Sequence, residues 1–420
     1  MAKRKLNVKF LVILGVVFVV ALGGAYAAYK YAKRLTPEQV LTAAQDLEKE
    51  GDYEKAGQYF GAYAAQMLPR DPSAWVEYGD AMVRLASVNP ENYGRARSAY
   101  RRALELDPRH HEALKRVVKM YREEAEQGLS SPTMLEELTE YAIRLSEVDP
   151  TDVEARVARE LGVMLGYLSS TELESEQADE SIARLEKIIE EHPELPDPPL
   201  FVARAKLVKA SRMQSINPDA AIELRNNAVA EFEERIARAP ETTRSLLARW
   251  QVKALGIGLL RDNDARRAAD EAAYQLMRKA AEGAKPEDGP AFVQALLQCG
   301  RMSARRDPEY ARQCFERIQA ARPWDPTPRR ELGEMLAGQG KPDEALAIMR
   351  AQPSQTAPVP GLEGVQLQTT LASLELSILR IRLDRMQSIP EAERTAEVEQ
   401  IEQALKAATE KYALRPDAFN

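Results

Sequence analysis

Residues 95–114 read RARSAYRRALELDPRHHEAL. Ala96, Tyr100 and Ala103 lie at i, i+4 and i+7, and Pro108 follows at i+12. Steps of four and three residues put side chains on one face of a helix. Proline past the last turn cannot continue that helix and fixes its end. The same register recurs at Leu138, Ala142, Leu145, Pro150; at Ser181, Leu185, Ile188, Pro193; and at Ala228, Phe232, Arg235, Pro240. It returns at Ala311, Phe315, Ile318, Pro323 and at Ala404, Ala408, Lys411, Pro416. Arg235 and Lys411 stand where an apolar residue is expected, which makes those two copies weaker.

A second pattern precedes the first. Trp75, Tyr78, Gly79 and Met82 fall at i, i+3, i+4 and i+7, as do Leu114, Val117, Val118 and Tyr121, and Val40, Ala43, Ala44 and Leu47. Gly51 and Gly340 each precede a small residue, Ala56 and Ala345, by five positions and mark tight turns between two helices. Each unit therefore reads as a helix hairpin. One hairpin cannot bury both of its apolar faces, and stacking on the next one does so.

These residues resemble the tetratricopeptide repeat (TPR) family. Residues 72–108 carry the resemblance best, through Trp75, the Tyr78-Gly79 pair, Ala96, Tyr100, Ala103 and Pro108. Residues 37–69 and 328–350 also match, the latter through Leu332, Gly333, Gly340 and Ala345. The resemblance implies an all-α, right-handed superhelical solenoid of antiparallel hairpins whose first helices line a concave groove for peptides or partner helices. The terminal prolines 108, 150, 193 and 240 are 42, 43 and 47 residues apart, whereas the family unit is about 34. The extra length is expected between the helices, at 127–132, 169–177 and 211–219, or in longer helices. Glu194–Pro199, ELPDPP, reads as a stiff extended connection, and Gln352–Gly361, QPSQTAPVPG, as a longer linker. The expected organisation is a basic flank and anchor over 1–35, repeats over 36–351, the linker over 352–361, and a terminal hairpin over 362–420. That hairpin carries an apolar stripe at Leu367, Leu371, Leu374, Ile378 and Ile381. Arg415–Asn420 looks like the opening of another repeat.

Phe10–Ala28 holds nineteen residues without a charge. As a helix they span roughly 28 Å, about one hydrocarbon core. Ala25-Tyr26-Ala27 also resembles a signal-peptidase site. The length of the apolar run and the bases that follow it, Lys30, Lys33 and Arg34, favour an uncleaved transmembrane anchor. Four bases precede the span and three follow, which places the N-terminus inside and the body outside a bacterial inner membrane.

Charge is uneven along the chain. Residues 1–35 hold seven bases and no acid, leaving 51 basic against 65 acidic residues in the rest, a balance of −14. An acidic body argues against a nucleic-acid partner. The two cysteines, Cys299 and Cys314, form no Cys-x-x-Cys and read as buried thiols, with a mutual disulfide open if the domain is exported. The three histidines, His110, His111 and His192, sit at helix ends rather than in a ligand set. Ala337–Lys341, AGQGK, lacks the spacing and the Ser/Thr of a phosphate loop. No catalytic residue, metal site or cofactor is expected. Glu123-Glu124 and Glu136-Glu137 read as solvated helix faces.

The groove is then the candidate site. Asp80 and Arg84 lie off the apolar stripe of one first helix, and Lys115, Lys119 and Arg122 share one face of the next. A basic strip there suits acidic peptide segments. The expected function is a membrane-anchored, non-enzymatic scaffold for protein interactions, held to the bilayer through residues 10–28. The alternatives are an assembly or regulatory subunit of an envelope biosynthetic complex, and a soluble exported repeat protein.

Overall fold

A computed structural model describes residues 35–86, 89, 91–126, 131–351, 361–386 and 390–412. Among them are eighteen α-helices and no strand. In chain order these are α1 (Pro37–Glu50), α2 (Tyr53–Ala62), α3 (Pro72–Leu85), α4 (Glu91–Leu106), α5 (His111–Glu126), α6 (Pro132–Val148), α7 (Val153–Ser169), α8 (Glu176–Glu191) and α9 (Asp197–Met213). They continue as α10 (Pro218–Ile236), α11 (Thr243–Ile257), α12 (Asn263–Gly283), α13 (Pro290–Ser303), α14 (Pro308–Ala321), α15 (Thr327–Gly338), α16 (Pro342–Arg350), α17 (Gly361–Arg385) and α18 (Glu391–Tyr412). Each odd-numbered helix packs on the next even-numbered one, giving nine consecutive hairpins, and each hairpin packs on its neighbour.

The helix boundaries follow from local chemistry. Asp52, Asp71, Ser131, Asp152, Ser175 and Asn217 each accept a hydrogen bond from a first-turn backbone N–H. Thr36 and Gln39 form a reciprocal capping box at the start of α1. Prolines 108, 150, 193 and 323 each lie two residues beyond a helix end. Gly51 and Gly340 turn between helices at φ +82° and +79°, a conformation in which a β-carbon would be strained.

The repeated spacing marks second helices. Ala96, Tyr100 and Ala103 on α4, Leu138, Ala142 and Leu145 on α6, Ser181, Leu185 and Ile188 on α8, and Ala311, Phe315 and Ile318 on α14 are all buried. The second pattern marks first helices, with Gly79 facing the partner helix: a β-carbon there would overlap the Tyr100 ring. Gly300 stands in the same relation to Phe315, and Gly333 to Met349. Three hairpins therefore close on a glycine beneath a large side chain. In α2 the spacing slips by one. Ala56 and Phe60 are buried, a π-helical turn over Tyr63–Met67 inserts a residue, and Pro69 falls at i+13 instead of i+12.

The long proline period lies mainly in the helices. Helices α5–α10 run 16 to 19 residues, against 9 to 14 for α13–α16. Of the expected long connections, 211–219 is a turn of four residues between α9 and α10, and Ser170–Ser175 does separate α7 from α8. Residues 127–130 lie outside the described residues. ELPDPP is not an extended connection: Pro198 and Pro199 are buried in the first turn of α9. Proline fits there because first-turn N–H groups have no intrahelical acceptor.

Arginines tie the units together. Arg84–Glu48, Arg101–Glu137, Arg116–Asp80 and Arg306–Asp270 join residues 36 positions apart. Others close helix C-termini across units. Arg212 donates to the carbonyls of Tyr167, Leu168 and Ser170 at the end of α7, Arg317 to Ala281 and Ala284 at the end of α12, and Arg144 to Pro108 beyond α4. The acidic pairs expected to be solvated take part in such ties. Glu124 is buried against Arg97, and Glu137 accepts from Arg101 and from the Tyr121 hydroxyl. A carboxylate between two packed units needs such donors.

The predicted anchor at Phe10–Ala28, the linker residues 352–360 and the expected opening of a further repeat at Arg415–Asn420 lie outside the described residues. Among the described residues, no helix is long and apolar enough to cross a membrane. Cys299 and Cys314 are buried, free thiols on α13 and α14.

Replacing Gly79 by Ala is expected to lower stability by about 1–3 kcal/mol through overpacking. Gly94→Ala, on α4 where a β-carbon meets open space, is expected to be neutral or to stabilise by up to about 1 kcal/mol. Chemical denaturation of both variants checks this. Burial raises the pKa of Glu331, but hydrogen bonds from Arg301 and Arg330 outweigh it and hold the carboxyl below its ordinary value of 4.5. A lowered folded-state pKa gives stability that is present above the unfolded value and lost as pH falls through the folded one. Glu331→Gln is therefore expected to cost about 1–3 kcal/mol at pH 7. That cost should shrink below about pH 4.5, as followed by denaturation across pH.

Candidate partner-binding face

The first helices α3 and α5 position all five candidate residues. Each sits beside the buried stripe of its helix, so its side chain leaves the core at the edge of the packed face. What it meets there is decided by the neighbouring unit.

Asp80 is fully engaged. It accepts from the Tyr100 hydroxyl at 2.7 Å and from Arg116 Nε at 2.9 Å. Burial and then Asp80 itself push the Tyr100 hydroxyl well above its ordinary range, so it stays a proton donor. Arg84 makes a two-pronged bond to Glu48 at 2.8 and 3.1 Å and lies 5.8 Å from the Phe60 ring centroid. Glu48–Arg84 and Asp80–Arg116 thus form two rungs joining α1 to α3 and α3 to α5.

Arg122 is also spent on the fold. Its guanidinium meets Glu126 at 2.7 Å and Asp197 at 3.1 Å, the latter at the start of α9. Arg244 on α11 reaches the same carboxylate. Burial alone would lower the Arg122 pKa, and Glu126 and Asp197 hold it raised. Three first helices, α5, α9 and α11, therefore meet at Asp197. The sequence could not show this tie, because Arg122 and Asp197 are 75 residues apart and no periodicity connects them.

Lys115 and Lys119 remain on the surface. Lys115 is exposed. The Lys119 side chain is 70% exposed, with Glu123 no closer than 3.9 Å. A pair this open in water is worth little to the fold. The basic strip of α5 is thus two lysines one turn apart, with Arg122 turned away into the Asp197 cluster.

A second feature lies between α3 and α4. Trp75 and Tyr78 pack edge to face, 6.2 Å between centroids, and Trp75 Nε1 donates to the Pro69 carbonyl. With Glu91, Arg95, Ser98 and Arg102 of α4 they line an open hollow of about 590 Å³. The polar residues recur every three or four positions, which is the signal that α4 presents a second face there.

The histidines sit at helix ends. His110 accepts from the Ala113 N–H at the start of α5, His111 lies 3.7 Å from Asp149, and His192 caps α8 beside Glu194. Among the described residues no group of three or more His, Cys, Asp or Glu is placed to hold a metal ion.

Residues 40–186 match the family model described as the Cilia and flagella-associated protein 70 middle TPR-like domain. That span covers most of the first four hairpins, which form a TPR-like helical repeat. No curated protein matches the chain. Among solved structures, a human IFIT1 dimer with m7Gppp-AAAA is 14% identical over 87% of this chain and 80% of that chain, with a TM-score of 0.40. The APC/C hetero-tetramer Cut9-Hcn1 is 12% identical over 95% and 87%, with a TM-score of 0.31. Yeast Tom70 is 12% identical over 91% and 97%, with a TM-score of 0.26.

Arg122→Ala is expected to destabilise the chain by about 1–3 kcal/mol, since it leaves Asp197 with one partner fewer. Lys119→Ala is expected to stay within about 0.5 kcal/mol of the parent. Denaturant midpoints of the two variants distinguish a structural tie from a surface charge.

Proposed function

We propose that this chain is a membrane-anchored, non-enzymatic scaffold that binds proteins or peptides on the first-helix face of a TPR-like array. A TPR-like helical repeat is typical of protein-interaction scaffolds. The observation that carries the reading is the contrast along α3 and α5: Asp80, Arg84 and Arg122 are consumed by ties between units, while Lys115 and Lys119 are left to solvent. Two exposed cations on a rigid helix suit an acidic segment of a partner. The acidic balance of the body supports a protein partner over a nucleic acid.

The anchor rests on the hydropathy of Phe10–Ala28, and the flanking bases support an inner-membrane location with the repeats outside the cytoplasm. The alternative reading is a regulatory or assembly subunit of an envelope biosynthetic complex.

Charge reversal tests the face. Crosslinking in intact membranes, with the full chain carrying Lys115→Glu and Lys119→Glu, is expected to cut recovery of its partner about tenfold at unchanged helical circular dichroism. Recovery equal to the parent's would remove these lysines from the site. The mature N-terminus tests the anchor: residues 1–28 should be retained, and a start at Ala28 would overturn it.

A further inference from the structure

Among the described residues helix α17, at 25 residues, is longer than any other helix and is built differently. The predicted stripe of Leu367, Leu371, Leu374, Ile378 and Ile381 is one of two. Val365, Ala372, Leu376, Leu379 and Leu383 recur at helical spacing on the opposite side. A helix that is apolar on two sides needs cover on two sides.

The first stripe packs on the end of the array. Leu374 and Ile381 are buried with Leu332, Leu336, Leu346 and Met349 of α15 and α16. Polar ties reinforce that end: the Ser377 hydroxyl donates to Glu334 at 2.6 Å, and Arg385 meets Asp343 at 3.0 Å. The other end of α17 reaches across the molecule. It touches α3, α4 and α5, and Val365 packs, half-buried, on the core of the first units. The ninth hairpin closes back on the second and third because twenty-five helical residues reach about 37 Å.

We propose that α17 is an internal latch. Its C-terminal half is fixed to α15 and α16, and its N-terminal half occupies a helix-docking site on α3 and α5. The occupant that competes for this site is an amphipathic helix of a partner, apolar toward the site and acidic toward Lys115 and Lys119. The two halves are held unequally. The fixed half has buried leucines and isoleucine with two polar ties, while the docked half meets the core of the first units through the half-buried Val365. Its hold on those units is the part that opens without unfolding the array. The competition rests on the partner face proposed above; the latch itself does not.

The test uses the full chain in detergent, so no partner is required. Val365→Asp places a charge at the docked contact, and Thr369→Asp, at an exposed position one turn on, is the control. Hydrogen–deuterium exchange is expected to quicken at least tenfold in the first turns of α17 and to change on α3 and α5 for Val365→Asp only. A labelled peptide of residues 361–385 should bind Val365→Asp at least tenfold more tightly than the parent. Val365→Ala should move both readouts in the same direction by less, which covers any loss of folding in the Asp variant. Exchange identical in the parent and both Val365 variants would overturn the latch. Faster exchange with equal peptide binding would overturn the docking site while leaving the Lys115 and Lys119 test untouched.

Discussion

Everything in this chain depends on helices that approach closely enough to bury a face that neither could bury alone. Gly79 under Tyr100, Gly300 under Phe315 and Gly333 under Met349 show how that is done. Removing a side chain from the first helix makes room for a large one from the second, so apolar area is gained where two backbones nearly meet. Small residues on the second helices, at Ala96, Ala142 and Ala311, are fully buried as well. The pattern propagates because each step leaves a new apolar face open.

The interior that results is not uniform. One cluster of buried residues runs from α1 to α9, and three smaller ones follow. Helix α9 stands between the first two, with Phe201, Val202 and Ala205 on one side and Leu200, Ala203, Leu207 and Ala210 on the other. It is buried on most of its surface, and its first turn carries Asp197, where α5 and α11 also meet.

Much of the fold was legible as periodicity. Spacings of four, seven and twelve find α4, α6, α8, α10 and α14, because burial acts on local pattern and proline acts on local backbone. The π turn in α2 hides its unit from that register by one residue. The prolines of ELPDPP misled in the other direction, since the same residue ends one helix and begins another. The site was less legible. Lys115 and Lys119 keep the exposure that spacing suggests, whereas Asp80, Arg84 and Arg122 find partners 36 to 75 residues away. Pairing at that distance depends on how units twist against each other, which a single helix does not encode. The second stripe of α17 was present in the sequence, but only the fold shows that its first member, Val365, packs on the core of the first units.

The arginines that close helix ends have a bearing on biosynthesis. Arg144 completes the turn after α4, Arg212 completes α7, and Arg317 completes α12. In each case the donor is translated after the carbonyls it satisfies. A nascent chain leaving the ribosome therefore carries, near its growing edge, helices whose last carbonyls are answered by water until the following arginine emerges. Translation order and structural completion run in the same direction, and each newly made segment seals the one before it.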